Sequence, residues 1–378
     1  NILGQLTIVK RRAKMWDASK CNLCGDCLVN CRYAGYDRDK AIAEITLLME
    51  GKDAEILSKC TTCIACSSHC PTGADPSNLI FKMQEKIGTS PIVVVDKPLC
   101  EELVRAFERR EDHRQLIQGT PDKPALSFDA FRFDYQLIPG DPGKPALSLD
   151  AFRFDYFPEG TFDSQLFKGM TIVRGGEYAS LVGYVHMGGE SLVEKYGQRV
   201  LDKLASLGKD IVYIHNEGFI LAHVKAKEYG FEVPFKYMHL FEYLRNYLRA
   251  HKKNITKLGK KVAYHANCAT RLIPEYDAFL DEVFELVGVE RPNREYERLN
   301  AVCCTAPLIY VNRELAVDIQ KKNFEDAIAC GADAIITSCP LCHRVLMRPS
   351  LKFNLPNIFI TDLCRIALGE KPWPDGSR

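Results

Sequence analysis

Two cysteine runs carry the clearest chemistry in this chain. Cys21-Asn-Leu-Cys24-Gly-Asp-Cys27-Leu-Val-Asn-Cys31 is followed by Cys60-Thr-Thr-Cys63-Ile-Ala-Cys66-Ser-Ser-His-Cys70-Pro71. Three closely spaced thiolates wrap one corner of a four-iron cube, and the fourth cysteine of such a run ligates the neighbouring cluster. On that logic Cys21, Cys24, Cys27 and Cys70 hold one cubane 4Fe-4S cluster, while Cys60, Cys63, Cys66 and Cys31 hold a second. Zinc is the rival reading. Structural zinc sites, however, pair two short Cys-Cys hooks across a spacer instead of crowding four cysteines together. Paired cubanes make a wire for single electrons; they do not transform an organic substrate themselves.

A second array lies downstream: Cys268, then Cys303-Cys304, then Cys339-Pro-Leu-Cys342. Apolar runs at Lys261–Tyr264 and Ala334–Thr337 read as buried strands just ahead of Cys268 and Cys339. Open α/β sheets gather their ligands at such strand ends. Five thiols meeting there favour a further iron–sulfur cluster; zinc, a redox dithiol at Cys339–Cys342 and inert buried thiols are the alternatives. Cys100, Cys330 and Cys364 read as structural. His265 and His343 flank the array, where they can tune a cluster or deliver protons to a leaving thiolate.

The elements that must position these residues fall into four stretches. Residues 1–118 form the cysteine-rich unit, with helices expected at Ala41–Leu57, Pro76–Ile87 and Pro98–Gln118. Residues 119–167 hold an imperfect repeat, Lys123-Pro-Ala-Leu-Ser-Phe-Asp-Ala-Phe-Arg-Phe-Asp-Tyr135 and Lys144-Pro-Ala-Leu-Ser-Leu-Asp-Ala-Phe-Arg-Phe-Asp-Tyr156. Its Phe-Arg-Phe-Asp-Tyr alternation suits short strands, and Pro139–Gly143 marks a turn. A surface insertion is the expectation; a docking arm for a partner is the alternative. From 168 onward strands and helices alternate, with strands expected at Lys209–Ile214 and Asn357–Thr361 and helices at Phe219–Tyr229 and Tyr276–Val287. The fold class is therefore a mixed α+β and α/β multidomain chain. A helical ferredoxin-like unit precedes two α/β lobes, 168–255 and 256–378, joined near Lys252–Gly259.

Composition narrows the function. The chain has 378 residues and 16 cysteines, with a net charge of +1. Near-neutrality, with no basic stripe among aromatics, argues against nucleic-acid binding. No apolar run reaches the length of a membrane span, and the N-terminus carries no apolar export segment. Clustered free thiols of this kind suit a reducing compartment, so the cytoplasm is the expected location.

These motifs resemble the cysteine-rich catalytic subunits of the heterodisulfide reductase family, over residues 15–90 and about 170–370. That family couples a ferredoxin-like unit to domains bearing a Cys, a Cys-Cys-Gly and a Cys-x-x-Cys, which fall here on Cys268, Cys303, Cys304, Cys339 and Cys342. The resemblance implies a noncubane 4Fe-4S cluster on these five, cleaving or forming a disulfide. It also implies the alternative of a relay subunit serving a flavoprotein, hydrogenase or quinone module.

Three departures stand out. The spacer before Cys339 is one residue short of the family range. Thr305 replaces the motif glycine, so the turn there is expected to differ. The first lobe lacks the cysteines: Val185-His-Met-Gly-Gly-Glu190 and Ile214-His215-Asn-Glu-Gly218 stand in their places, and the first lobe is read as degenerate. His186, His215 and His239, with Glu190 and Glu217, are either polar filling of a lost cluster site or a metal or proton site.

No Gly-x-Gly-x-x-Gly fingerprint occurs, so any flavin or nicotinamide belongs to a partner. Expected partners are a flavoprotein, a hydrogenase or another electron donor in a hetero-oligomer, a membrane quinone module, and a disulfide substrate. A position peripheral to the inner membrane would come through such a partner.

Overall fold

The computed structural model describes residues 15–88 and 136–374, apart from 188, 307 and 311. It shows a mixed α/β architecture with a helical unit and two sheet-bearing lobes. In the helical unit, the Asp37 side chain accepts the Lys40 amide N–H (2.8 Å) and caps helix Arg38–Met49. Helix Pro76–Ile87 starts on a proline and stops at Gly88, whose φ of 76° suits the left-handed C-cap. The expected helix at Ala41–Leu57 is two pieces, Arg38–Met49 and Glu55–Lys59. Leu28, Ala41, Ile45, Leu48, Ile56, Leu57, Ile80 and Phe81 form the core between them. The expected helix at Pro98–Gln118 lies outside the described residues.

The first sheet runs in the order β1 (Gln136–Ile138), β3 (Thr171–Arg174), β2 (Ala146–Ser148), β4 (Ile211–Tyr213) and β5 (Tyr237–His239). Only β1 is antiparallel to its neighbour. The second sheet runs β7 (Val289–Glu290), β6 (Lys260–His265), β8 (Ala334–Thr337) and β9 (Asn357–Phe359), parallel throughout. Apart from β1 the two orders correspond strand for strand. The lobes are copies of one plan. They share a continuous core, in which Leu147, Ile214 and Leu244 pack in one cluster with Tyr264, Ile336 and Phe359.

The repeat is therefore not an insertion. Its second copy supplies β2, paired on both sides, with Leu147 and Leu149 fully buried and Phe152 nearly so. The strand falls on Ala-Leu-Ser; the aromatic alternation expected as a strand includes a 3₁₀ turn at Phe154–Tyr156. Phe152 and Phe157 sit inside the shared core, and Phe154 and Tyr156 pack partly buried against it. They are not free for docking. The apolar side chains of a central parallel strand are buried on both faces, and a surface arm cannot supply them. The first copy lies outside the described residues. The first lobe thus begins ahead of residue 168.

Candidate metal centre

Each cysteine run folds as the same wound loop. Leu23 and Thr62, equivalent in the two runs, have φ of 57° and 56°, and Gly25 and Ile64 have 74° and 67°. Left-handed backbone at Leu, Thr and Ile costs energy and concentrates at functional sites. The winding turns backbone N–H groups toward sulfur: the Thr62 amide donates to Cys60 Sγ (3.3 Å) and the Ala74 amide to Cys70 Sγ (3.4 Å).

The runs face each other across two cavities. Cys21, Cys24, Cys27 and Cys70 line one, of about 330 Å³. Cys31, Cys60, Cys63 and Cys66 line the other, of about 550 Å³. The fourth cysteine of each run has crossed to the other run's cavity. Burial and the thiolates of Cys70, Cys24 and Cys21 push Cys27 up to about 12. Burial, with Cys63 next in weight, raises Cys31 and Cys60; burial, then Cys60 and Cys63, raises Cys66. Crowded buried thiols resist ionising together unless a cationic centre sits among them. The donor set fits a thiolate-bound metal group in each cavity. These eight sulfurs do not converge as ligands of one ion do; four corners of a cube stand further apart.

Among the described residues, two groups are tight enough for a single ion, with donor atoms within 4.8 Å of one another. One is His265, Cys304 and Cys342. The other is Asp150, His215 and Glu217. Cys303, Cys304, Cys339 and Cys342 share one packed cluster, and Cys268 is close enough to Cys303 to act on it electrostatically. All five predicted cysteines therefore converge. The thiols of Cys303 and Cys342 hold Cys304 well below its ordinary range, with His265 adding to the effect. Cys342, then His215, bring Cys339 down to about 6 against the opposing effect of burial.

Thr305 keeps the left-handed turn that glycine would adopt, with φ of 71°. The expected change of turn does not occur. The Thr305 amide donates to Cys303 Sγ (3.2 Å), and the Thr305 hydroxyl oxygen accepts from Gln320 Nε2 (2.8 Å).

The cysteine-free first lobe reaches into this site. His215 Nε2 lies 3.7 Å from Cys339 Sγ, and His186 Nε2 lies 3.6 Å from Cys268 Sγ. Asp150 Oδ2 is 3.2 Å from His215 Nδ1, and Glu217 Oε1 is 3.8 Å from His186 Nε2. Burial would depress both histidines. Cys268 and Glu217 overcome it at His186, and Glu217, Asp150 and Cys339 overcome it at His215. His239 is different: it caps helix Leu240–Ala250, accepting the Phe241 amide N–H, and bonds Asn216. It fills the core. His343 bonds Thr337 and Asn357 and does not face the cysteines through those contacts. Glu190 accepts from Lys225 (3.3 Å) and Asn78 (3.2 Å). Cys330 and Cys364 lie apart from the five, and Cys100 falls outside the described residues.

Three contributors escape a reading of the sequence: Asp150, Thr62 and Tyr33. Tyr33 lines the Cys31–Cys66 cavity and accepts the Cys303 amide N–H (3.1 Å). Arg271 donates to the Cys63 carbonyl (3.0 Å) and to the Ala301 carbonyl, tying the second run to the Cys303 loop. A third cavity, about 550 Å³, runs past His186, Glu217 and Lys225 to Cys268.

In class, this is a metal-binding, cysteine-rich α/β chain with a general resemblance to iron–sulfur electron-transfer subunits. The model of the CCG cysteine-rich domain matches residues 262–347. Over 146 residues the chain is 30% identical to one subunit, designated HdrD-type, of the dihydromethanophenazine:CoB–CoM heterodisulfide reductase of Methanosarcina mazei, and 28% identical to its counterpart in Methanosarcina acetivorans. The match takes in 37% of this chain and 36% of each relative, so the chain spans about a third of the relatives' length. A hypothetical protein from Helicobacter pylori shares the fold, with a TM-score of 0.54 at 13% identity, over 86% of this chain and 64% of that one. No helix among the described residues is long and apolar enough to cross a membrane.

Proposed function

We propose that this chain is a subunit of an oxidoreductase complex that carries electrons through two cubane 4Fe-4S clusters to a third cluster on five cysteines, where a disulfide is reduced or formed. Cys21, Cys24, Cys27 and Cys70 hold the outer cubane; Cys31, Cys60, Cys63 and Cys66 hold the inner one. The observation that carries this reading is the Tyr33 contact. One side chain lines the inner cysteine cavity and binds the backbone of Cys303, so the order outer, inner, five-cysteine site follows from the packing.

Bound clusters supply one-electron transfer and, at the five-cysteine site, an iron to which a sulfur can bind. The chain supplies the rest. Tyr33 and Arg271 hold the inner cavity and the Cys303 loop at a fixed separation. Burial of Cys304, Cys339 and Cys342 excludes water. The cavity reaching Cys268 gives a substrate sulfur its approach, with Lys225 on its wall. A thiol–disulfide couple is the substrate class, in keeping with the heterodisulfide in the relatives' name. A flavoprotein, hydrogenase or quinone module supplies the electrons, placing the protein in the cytoplasm or against the inner membrane.

A second reading, an electron relay to a separate reductase, draws on the burial of three of the five cysteines. Metal analysis and paramagnetic resonance of anaerobically purified protein test the common part. Three clusters require about 12 irons per chain. Iron near 8 with zinc near 1 removes the third cluster. Turnover of a small disulfide separates reductase from relay.

A further inference from the structure

We infer that the first lobe, which has lost its own cysteines, donates His186 and His215 as metal ligands to the five-cysteine site, making it a mixed thiolate–imidazole centre that spans both lobes. The inference rests on the proposal that this site holds a metal group.

Position is the first argument. His215 follows β4 as the N-cap of Asn216–Ile220, with φ −107° and ψ 133°. Cys339 follows β8 as the N-cap of Pro340–Phe353, with φ −107° and ψ 129°. The two are equivalent residues of the two lobes, and their side chains meet. His215 is the first lobe's counterpart of a cysteine ligand.

Tautomer is the second. Both oxygens of Asp150 are engaged as acceptors, by the Ala151 and Ser180 amides, the Ser180 hydroxyl and His215. A carboxylate so held takes the His215 Nδ1 proton and leaves the Nε2 lone pair facing Cys339. Carboxylate-oriented imidazole is the usual second shell of a metal-bound histidine. At His186, the Thr62 hydroxyl already donates to the Thr61 carbonyl (2.7 Å), so its oxygen accepts from His186 Nδ1. Again Nε2 is the free lone pair, aimed at Cys268. His265 is the contrast. Arg294 holds Asn323 Oδ1 (3.0 Å), which turns Asn323 Nδ2 toward His265 Nδ1 (3.2 Å). Its proton must sit on Nε2, a buried atom with no partner, so His265 donates to sulfur and is not a ligand.

Distance is the third. Metal binding strips the thiol proton, so each Nε2 and Sγ would be two acceptors facing one another. A cation between them resolves that. Nitrogen at about 2.05 Å and sulfur at about 2.3 Å from one tetrahedral metal stand about 3.5 Å apart. The observed 3.6 and 3.7 Å agree.

The test is pulsed paramagnetic resonance on the whole protein, grown with ¹⁵N-imidazole histidine and poised to make the downstream cluster paramagnetic. Strong ¹⁵N coupling is expected, reduced in His215→Ala and in His186→Ala and lost in the double variant. Asp150→Asn should weaken metal retention about 10–100-fold. The unsubstituted protein decides by itself if the variants fail to fold. A loaded cluster with no strong ¹⁵N coupling overturns the inference and leaves the cluster reading standing; protonated imidazoles donating to sulfur would give that result. Iron near 8 with zinc bound downstream overturns the cluster reading instead. Absorption at the zinc edge then reports whether imidazole is bound, and its absence overturns the ligand assignment too. No metal downstream overturns both.

Discussion

The backbone N–H of Cys303 donates to the hydroxyl of Tyr33, 3.1 Å away, across 270 residues of sequence. Burial, with the nearby thiols of Cys63 and Cys303, keeps Tyr33 protonated far above its ordinary range. It is a neutral spacer between two cysteine sites. Tyr33→Phe should cost about 1–3 kcal/mol by orphaning a buried amide, with all iron retained. Tyr33→Ala should also slow electron arrival at the downstream site in rapid-freeze kinetics. Unchanged kinetics in the Ala variant would remove Tyr33 from the path.

Substituting Cys304 or Cys339 with Ser separates terminal site from wire. The eight upstream thiols are untouched, so both N-terminal cluster signals should persist while iron falls by about 4 per chain. Serine oxygen is a harder, poorer ligand for iron. Donor-driven reduction of the cubanes should continue and acceptor turnover should stop. Full turnover in both variants would mean that electrons leave directly from the Cys21–Cys70 unit.

Much of this arrangement was legible in the spacing. Four cysteines in a C-x2-C-x2-C-x3-C run constrain their own geometry, so the crossed grouping of Cys31 and Cys70 could be read locally. The strand ahead of Cys339 was equally plain, because Ala334–Thr337 is wholly apolar or β-branched. What escaped is long-range. Asp150 matters only because β2 lies beside β4, and nothing in Leu-Ser-Leu-Asp announces that pairing. The aromatic repeat misled because Phe-Arg-Phe-Asp-Tyr alternates like a strand, while the strand itself is the preceding Ala-Leu-Ser. His186 and His215 had the right places by analogy between lobes, but their approach to Cys268 and Cys339 depends on how the two sheets pack.

The repeat's second copy is now a stability element. Leu147 is fully buried in a strand paired on both sides. Leu147→Ala should cost about 2–5 kcal/mol in denaturant unfolding. Deleting 121–157 removes β2 and Asp150 together, so it should yield no folded first lobe. Recovery of a soluble deletion protein with normal spectra would refute the structural role of β2.

Thr305 reverses an ordinary ranking. Left-handed backbone costs a non-glycine residue about 1–2 kcal/mol. Threonine offsets part of that cost through its bond from Gln320. Alanine keeps the strain and loses the bond; glycine loses the bond and the strain together. Thr305→Ala should therefore melt below Thr305→Gly, by a few degrees in a thermal scan at equal metal content. The opposite order would mean that the turn tolerates a side chain without strain.

His239 gives the chain an acid limit unconnected with its cysteines. Burial, with His223 adding, pushes its imidazole down from 6.5 to about 3. Its Nδ1 accepts the Phe241 amide and its Nε2 pairs with Asn216, a neutral arrangement that a second ring proton would break. The sign follows from proton binding. The unfolded chain protonates this histidine below pH 6.5 and the folded chain does not, so the unfolded state binds more protons. Its contribution is complete above pH 6.5 and declines as pH falls toward 3, by roughly 1.4 kcal/mol per pH unit at most. Urea unfolding at stepped pH on anaerobic protein should show that decline in the parent. In His239→Gln, which bonds Asn216 without titrating, the slope should be shallower by about one proton, even though its plateau stability is lower. Equal slopes in the two proteins would show that His239 is protonated inside the fold, and that the acid limit arises elsewhere.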